Sequence, residues 1–83
     1  MLSEEETKEF YKKMRKVGLN LRKVRKEKKK TQAEMSTLIG VSYKYYQSIE
    51  NGDQPLSMRG LFRIARRSNV SIMELVRFSI TSS

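Results

Sequence analysis

Apolar residues recur along the chain with the spacing of α-helices, and no segment alternates as a β-strand does. The longest helical pattern follows Ser3, a favourable N-terminal cap, and a run of three glutamates placed where the helix dipole favours negative charge. Its apolar positions form one stripe, at Phe10, Met14, Val17, Leu21 and Val24. The pattern predicts a first helix that ends near Lys28, with Gly18 as a weak point where it bends or breaks. Packing in the core is the first interpretation of the stripe, and pairing with a second subunit is the alternative.

Capping residues divide the rest of the chain into four shorter helices. Thr31, with Glu34 three residues later, has the pattern of a capping box, and Gly40 is the residue type preferred just beyond a helix end. Ser42 is the expected cap of a third helix, which a turn at 51–52 terminates. Caps for a fourth and a fifth helix are expected at Ser57 and at Ser71, the latter in a second capping box with Glu74.

The apolar residues of the later helices predict which faces point inward. The expected inward residues are Met35, Leu38 and Ile39 in the second helix, Met58, Leu61, Phe62 and Ala65 in the fourth, with Ile64 on the flank, and Ile72, Leu75, Val76 and Phe78 in the fifth. Ile49 is expected to anchor the third helix from behind, and Ser36 to allow the second helix to approach it closely. The sequence therefore predicts an all-α domain of five helices.

Composition narrows the classes of function. The chain has 83 residues, enough for one small domain, and contains no Cys and no His. Disulfides and Cys or His metal sites are therefore excluded, and we expect no metal, no cofactor and no enzyme activity. No apolar run approaches the ~20 residues that span a bilayer, and no signal peptide is recognisable, which predicts a cytoplasmic protein with no membrane association.

The charge of the chain points to a polyanionic partner. Its formal net charge is +9, and most of the basic residues precede residue 31. The densest run is KEKKK at 26–30, and Lys29 and Lys30 at its end are candidates for phosphate contact. A basic helix on an anionic membrane surface is an alternative use of this charge. The glutamates at 4–6 and Glu9 argue against that alternative.

The segment 31–52, TQAEMSTLIGVSYKYYQSIENG, predicts two short helices joined by a tight turn at 40–42. The second of these two, which is the third helix of the chain, carries five long polar or aromatic side chains in a row, namely Tyr43, Lys44, Tyr45, Tyr46 and Gln47. Such a helix is poorly suited to burial. It is suited to the major groove of DNA, where long polar side chains reach base edges. The predicted partner is therefore double-stranded DNA.

These residues resemble the lambda-repressor/Cro-like family of helix-turn-helix domains, also called the XRE family. The matching segments are VGLNLRKVRKEK at 17–28, TQAEMSTLIGVS at 31–42, SIENG at 48–52 and SMRGLFRIARRSNVSIMEL at 57–75. The resemblance implies a five-helix DNA-binding domain at 17–78. An N-terminal extension of the first helix at 1–16 would precede it, and a tail at 79–83 would follow.

The resemblance also implies roles for individual residues. The expected base contacts come from Ser42, Tyr43, Lys44 and Gln47, of which Gln47 could pair bidentately with adenine. The expected phosphate contacts come from Gln32, Lys29, Lys30, Tyr45, Asn51 and Arg59. Arg25 and Glu50 match a pair that forms a buried salt bridge in similar domains. Tyr46 stands where the family usually has a buried Ile or Val. Its ring could fill that site, but its hydroxyl then needs a partner, so either the third helix is slightly rotated or Tyr46 reaches the surface.

The function predicted is that of a sequence-specific transcription regulator, most simply a repressor, that binds an inverted repeat as a homodimer. A dimer is expected because one short helix reads only a few base pairs. Phe78 and Ile80 are the first candidates for the dimer surface, and the extension at 1–16 is the second. Two related functions remain open: an antitoxin that binds a protein partner through the extension, and a restriction–modification controller that regulates its own expression.

Overall fold

The structure, a computed structural model, describes residues 1–78 and contains five α-helices and no strand over that range. The helices are α1 (Glu4–Glu27), α2 (Gln32–Ile39), α3 (Tyr43–Glu50), α4 (Met58–Arg67) and α5 (Ile72–Leu75). The predicted all-α class and helix order are confirmed. None of these helices combines the length and the apolar character needed to cross a bilayer.

Side-chain caps begin the helices where the sequence predicts them. Ser3 Oγ accepts from the backbone N–H of Glu6, whose carboxylate accepts from the N–H of Ser3, and Thr31 and Glu34 form the same box. The backbone N–H donated to each carboxylate lowers the pKa of both glutamates. The box predicted between Ser71 and Glu74 is wrong, since Ser71 Oγ accepts from the N–H of Met73 at the start of a helix of only four residues.

The apolar stripe of α1 lies in the core, as its first interpretation proposed. Met14, Val17, Leu21 and Val24 are buried, and Phe10 is half-buried against the same cluster. The fully buried side chains that surround the stripe come from the other four helices or the segments that join them, and include Met35, Ile39, Tyr46, Ile49 and Leu75. One core therefore unites all five helices.

Three residues predicted to point inward are exposed instead. Leu38 lies on the surface of α2, and Met58 and Phe62 in α4 are 69% and 59% exposed. The face that α4 buries is formed by Leu61, Ile64, Ala65 and the following Ser68. These residues follow the three-four spacing of one helix face, and α4 presents that face to α2 and α5.

Gly18 does not interrupt α1, which continues as one helix from residue 4 to residue 27. Gly18 is buried where α1 crosses the end of α3. A β-carbon added there would lie 2.6 Å from the carbonyl oxygen of Ile49 and still closer to that of Glu50. The glycine is therefore explained by the close approach of two helix backbones.

The segment after α5 is fastened to α1. The side-chain amide of Asn20 donates to the carbonyl oxygens of Leu75 and Arg77, at 2.8 and 2.9 Å. Lys13 Nζ lies 5.1 Å from the centre of the half-buried Phe78 ring. Phe78, proposed from the sequence for a dimer surface, thus also packs within its own chain, and Ile80 lies outside the described residues.

Candidate nucleic-acid interface

The turn between α2 and α3 depends on a glycine in the left-handed region. Gly40 has φ of +85°, and its N–H and that of Val41 donate to the carbonyl oxygen of Ser36 at 2.9 and 3.0 Å. Ser36 is buried, as its small side chain predicts for a close contact between the two helices. Arg67 Nη1 reaches across from α4 to the carbonyl oxygen of Ile39 at 2.8 Å. No local pattern in the sequence indicates this second restraint on the turn.

Arg25 and Glu50 connect α1 to α3 through two hydrogen bonds. Arg25 Nε lies 2.7 Å from Glu50 Oε2, and Nη2 lies 3.3 Å from Oε1. The two side chains are only 12% and 3% exposed, so the ion pair is largely withdrawn from water. The remaining Nη1 donates to the carbonyl oxygen of Lys30 at 3.0 Å. The pair therefore fixes both the orientation of α3 and the path of the basic segment that precedes α2.

Tyr46 is fully buried, and its hydroxyl donates to Glu50 Oε2 at 2.5 Å. Burial, followed by this hydrogen bond to a carboxylate, raises the pKa of the phenol well above its usual value. For Glu50, burial alone would raise the pKa. The hydrogen bonds from Arg25, Tyr46 and Gln32 together outweigh that effect and lower it. Glu50 is therefore a buried carboxylate with three donors.

Gln32 extends this network to the surface of α3. Its Nε2 donates to Glu50 Oε1 at 3.0 Å, and its Oε1 accepts from Gln47 Nε2 at 3.3 Å. Gln47 Nε2 also lies 3.2 Å from the hydroxyl of Tyr43. A continuous set of hydrogen bonds thus runs from the buried carboxylate to two residues predicted to contact bases.

The residues predicted to contact bases lie together on and beside the exposed side of α3. Ser42, Tyr43 and Lys44 are exposed and Gln47 is half-buried. Ser42 Oγ also accepts from the N–H of Tyr45 and so caps the helix. The opposite side of α3 is held by three buried residues, Tyr46, Ile49 and Glu50. The arrangement is a short helix anchored on one side and open on the other.

Comparison with known proteins identifies this arrangement. A family model described as helix-turn-helix matches residues 21–75. The chain belongs to the helix-turn-helix family. Its resemblance to the lambda-repressor/Cro-like class is thereby confirmed, and the family is one of DNA-binding regulators.

A solved structure is similar to this helix-turn-helix chain over most of its length. It is the restriction–modification controller protein C.AhdI from Aeromonas hydrophila, which is 26% identical in sequence. The superposition has a TM-score of 0.71 and covers 78% of this chain and 94% of C.AhdI. A search of curated proteins finds no match.

The residues predicted to contact phosphate differ in how exposed their side chains are. Lys29, Tyr45, Asn51 and Arg59 are exposed, whereas Gln32 and Lys30 are half-buried. Lys29 stands just after α1 with φ of +57°, a conformation that favours glycine. Lysine at this position therefore adds a positive charge at the cost of backbone strain.

Arg22, on α1, lies beside the helix-turn-helix but is not among the contacts predicted from the sequence. Arg22 lies beside Arg25, Thr31, Gln32 and Tyr43 around an open groove where α1, α2 and α3 meet. In the sequence Arg22 is one of many basic residues of α1, and only the packing of α1 against α3 distinguishes it from its neighbours.

Proposed function

We propose that this chain binds double-stranded DNA sequence-specifically by inserting α3 into the major groove. The observation that carries the proposal is the contrast between the two sides of this helix. Tyr46, Ile49 and Glu50 hold it from behind, while Lys44 and its neighbours remain open to solvent. A side chain on a rigid helix can select a base because the helix backbone that carries it is already ordered before DNA binds.

Charge supports the same partner. The chain carries a net charge of +9, and Lys29, Asn51 and Arg59 offer exposed donors for phosphate oxygens. Gln32 retains a role at the start of α2, where its N-terminal position favours an anion and its side chain supports Gln47. These contacts would set the register of the protein on the duplex, and the residues of α3 would read its sequence.

We further propose that the protein acts as a homodimer on an inverted repeat. Two recognition helices ~34 Å apart would enter successive major-groove turns on one side of the duplex. Phe78 and Ile80 remain the proposed dimer residues from the sequence. The exposed apolar side chains of Phe62 and Met73, on α4 and α5, add surface that a second copy of the chain would cover.

The simplest consequence of such binding is repression, since a bound dimer would exclude polymerase from an overlapping promoter, and such a role would place the protein in the cytoplasm. A controller of restriction–modification genes that regulates its own expression is the second candidate. The similarity to C.AhdI over 94% of that protein favours it. Both candidates require the same event, specific binding of α3 to an operator.

Selection of bound sequences from a random duplex pool tests the proposal. We expect an enriched consensus with two-fold symmetry and half-sites about one helical turn apart. Lys44→Ala should change or weaken the consensus. The matched control is Lys23→Ala, a change on the side of α1 that faces α5, which should leave the consensus intact. Absence of any enriched sequence at low ionic strength would refute specific binding, and a consensus of direct repeats would refute the symmetric dimer.

A further inference from the structure

We propose that the buried carboxylate of Glu50 determines which atoms on the exposed side of α3 donate hydrogen bonds and which accept them. Gln47 would then present its carbonyl oxygen and read a base by its exocyclic amino group, at adenine N6 or cytosine N4. This inference rests on the proposed function and adds to it the chemical class of base that Gln47 reads. It is carried by the order of donors and acceptors from Glu50 to Tyr43.

The series of hydrogen bonds begins at the carboxylate of Glu50, which can only accept. Glu50 receives hydrogen bonds from Arg25, Tyr46 and Gln32, at 2.7, 2.5 and 3.0 Å from the nearest oxygen. An ionised carboxylate has no hydrogen to donate. Gln32 must therefore turn its amide nitrogen toward Glu50, because its own carbonyl oxygen would face a negative charge in a buried site.

The orientation of Gln32 decides the orientation of Gln47. With its nitrogen committed to Glu50, Gln32 offers its oxygen to the surface, and Gln47 Nε2 meets that oxygen at 3.3 Å. If Gln47 were flipped, two carbonyl oxygens would face one another. The bond is long, so its polarity comes from the acceptor at the far end of the chain and not from its own strength.

Gln47 has two amide hydrogens, and both have partners within the chain. The second partner is the hydroxyl oxygen of Tyr43, 3.2 Å from Nε2. The carbonyl oxygen of Gln47 makes no hydrogen bond within residues 1–78, nor does the hydroxyl hydrogen of Tyr43 have an acceptor there. The free groups of this pair are thus one acceptor, on Gln47, and one donor, on Tyr43.

The major groove offers donors only from certain bases. Adenine N6 and cytosine N4 carry amino groups, whereas guanine presents O6 and N7 and thymine presents O4. The oxygen of Gln47 can satisfy an amino group, and opposite guanine or thymine two acceptors would face each other. A bidentate contact with adenine would require Gln47 to leave Gln32 or Tyr43, so the contact inferred here is made through one atom.

Base analogues that lack the exocyclic amino group, placed one at a time in the selected operator, test the inference. Each adenine of a half-site is replaced in turn by purine, which lacks the N6 amino group, and each cytosine by 2-pyrimidinone, which lacks the N4 amino group. For the wild-type protein, one such position should weaken binding about tenfold or more. That position should lose its sensitivity in Gln47→Ala. In the control Lys23→Ala, a change on the side of α1 that faces α5, the position should remain sensitive to loss of the amino group.

A variant that removes the hydrogen bonds linking Glu50 to Gln47 through Gln32 tests the role of Glu50. Gln32→Met leaves the contacts of Glu50 with Arg25 and Tyr46 in place and removes the acceptor for Gln47. Gln47 can then turn either face outward, so preference for the amino-bearing base at its position should fall about tenfold, toward equality with guanine or thymine. Circular dichroism of each variant confirms that the helices are intact before binding is compared.

The outcomes separate this inference from the proposed function. If no duplex is bound specifically, specific recognition by α3 is refuted, and the inference with it. If binding is specific but Gln47→Ala removes sensitivity only at a guanine or a thymine, or at no position, the polarity inference alone is overturned. Unchanged preference in Gln32→Met would overturn the role assigned to the buried carboxylate.

Discussion

The hydroxyl of Tyr46 and the guanidinium Nε of Arg25 donate to the same oxygen of Glu50, at 2.5 and 2.7 Å. Tyr46 lies one helix turn before Glu50 on α3, so the bond between them is internal to the proposed recognition helix. The aromatic ring fills a fully buried site and the hydroxyl supplies a third donor to a carboxylate that burial would otherwise disfavour. The network therefore gains a donor that Ile or Val, usual at this position, could not supply.

Tyr46→Phe removes that donor and keeps the ring. Because a hydrogen bond to a buried charged group is lost, we expect the free energy of unfolding to fall by ~1.5–3 kcal/mol. Urea denaturation followed by circular dichroism measures the change. Tyr45→Phe is the matched control on the same helix, since Tyr45 is 39% exposed, and it should change stability by less than ~0.5 kcal/mol. Equal losses in the two variants would show that the Tyr46 hydroxyl has no special role.

Gly18→Ala places a methyl group against the carbonyl oxygens at the end of α3. Alanine is the better helix former, but the close contact should separate the helices and destabilise the fold by ~1–3 kcal/mol. Gly60→Ala in α4 is the control, because its added carbon would meet its nearest neighbours at 3.6 Å, an ordinary contact. It should raise stability by ~0.5–1 kcal/mol. Thermal and urea denaturation of both variants check the opposite signs.

Lys29→Gly should change stability and DNA binding in opposite directions. Glycine relieves the left-handed backbone and should add ~1 kcal/mol to the free energy of unfolding. Loss of the charge should weaken binding to all duplexes and reduce the slope of log K against log salt by about one unit. Lys23→Ala, which removes a charge on the side of α1 near α5, should leave that slope unchanged. A slope unaltered by Lys29→Gly would remove Lys29 from the phosphate contacts.

Acidification should destabilise the domain through Glu50. Its pKa is lowered in the folded state, below the value of about 4.3 expected when unfolded, so its contribution to stability is complete above that value. The contribution is lost as the pH falls toward the folded-state pKa. Urea denaturation between pH 7 and pH 3 should show this loss.

Glu50→Gln provides the comparison for the acid dependence. Its stability should be lower at neutral pH and should fall less steeply on acidification, because the titrating group is gone. Some dependence should remain from Glu6 and Glu34, whose pKa values are lowered by capping hydrogen bonds. Parallel pH profiles for the two proteins would contradict the role assigned to Glu50.

Features that depend on neighbouring residues were predictable from the sequence. The caps at Ser3 and Thr31 and the left-handed Gly40 follow from local backbone chemistry, which one residue and its near neighbours decide. Arg25 and Glu50 lie far apart in the sequence, and their pairing came from the resemblance to a family. The exposed residues of α3 could be named because a helix rich in polar and aromatic side chains leaves few to bury.

Features that depend on how helices pack were harder to predict. In α4, apolar residues occur on more than one side, and the prediction that placed Phe62 inward and Ile64 on the flank is wrong. The packing of α4 against α2 and α5 decides which of the two is buried. Likewise, no local pattern joins Gln32 to Gln47 or Arg67 to the end of α2, because each contact needs the relative placement of two helices.

Asn20 couples the stability of the segment around α5 to that of α1. Its amide donates to two carbonyl groups, one on the last residue of the shortest helix and one just beyond that helix, and those groups would otherwise depend on water. A four-residue helix has almost no stability of its own. The carboxyl-terminal turn therefore persists only while the amino-terminal helix is intact, and the beginning and the end of the described chain should melt as a single cooperative unit.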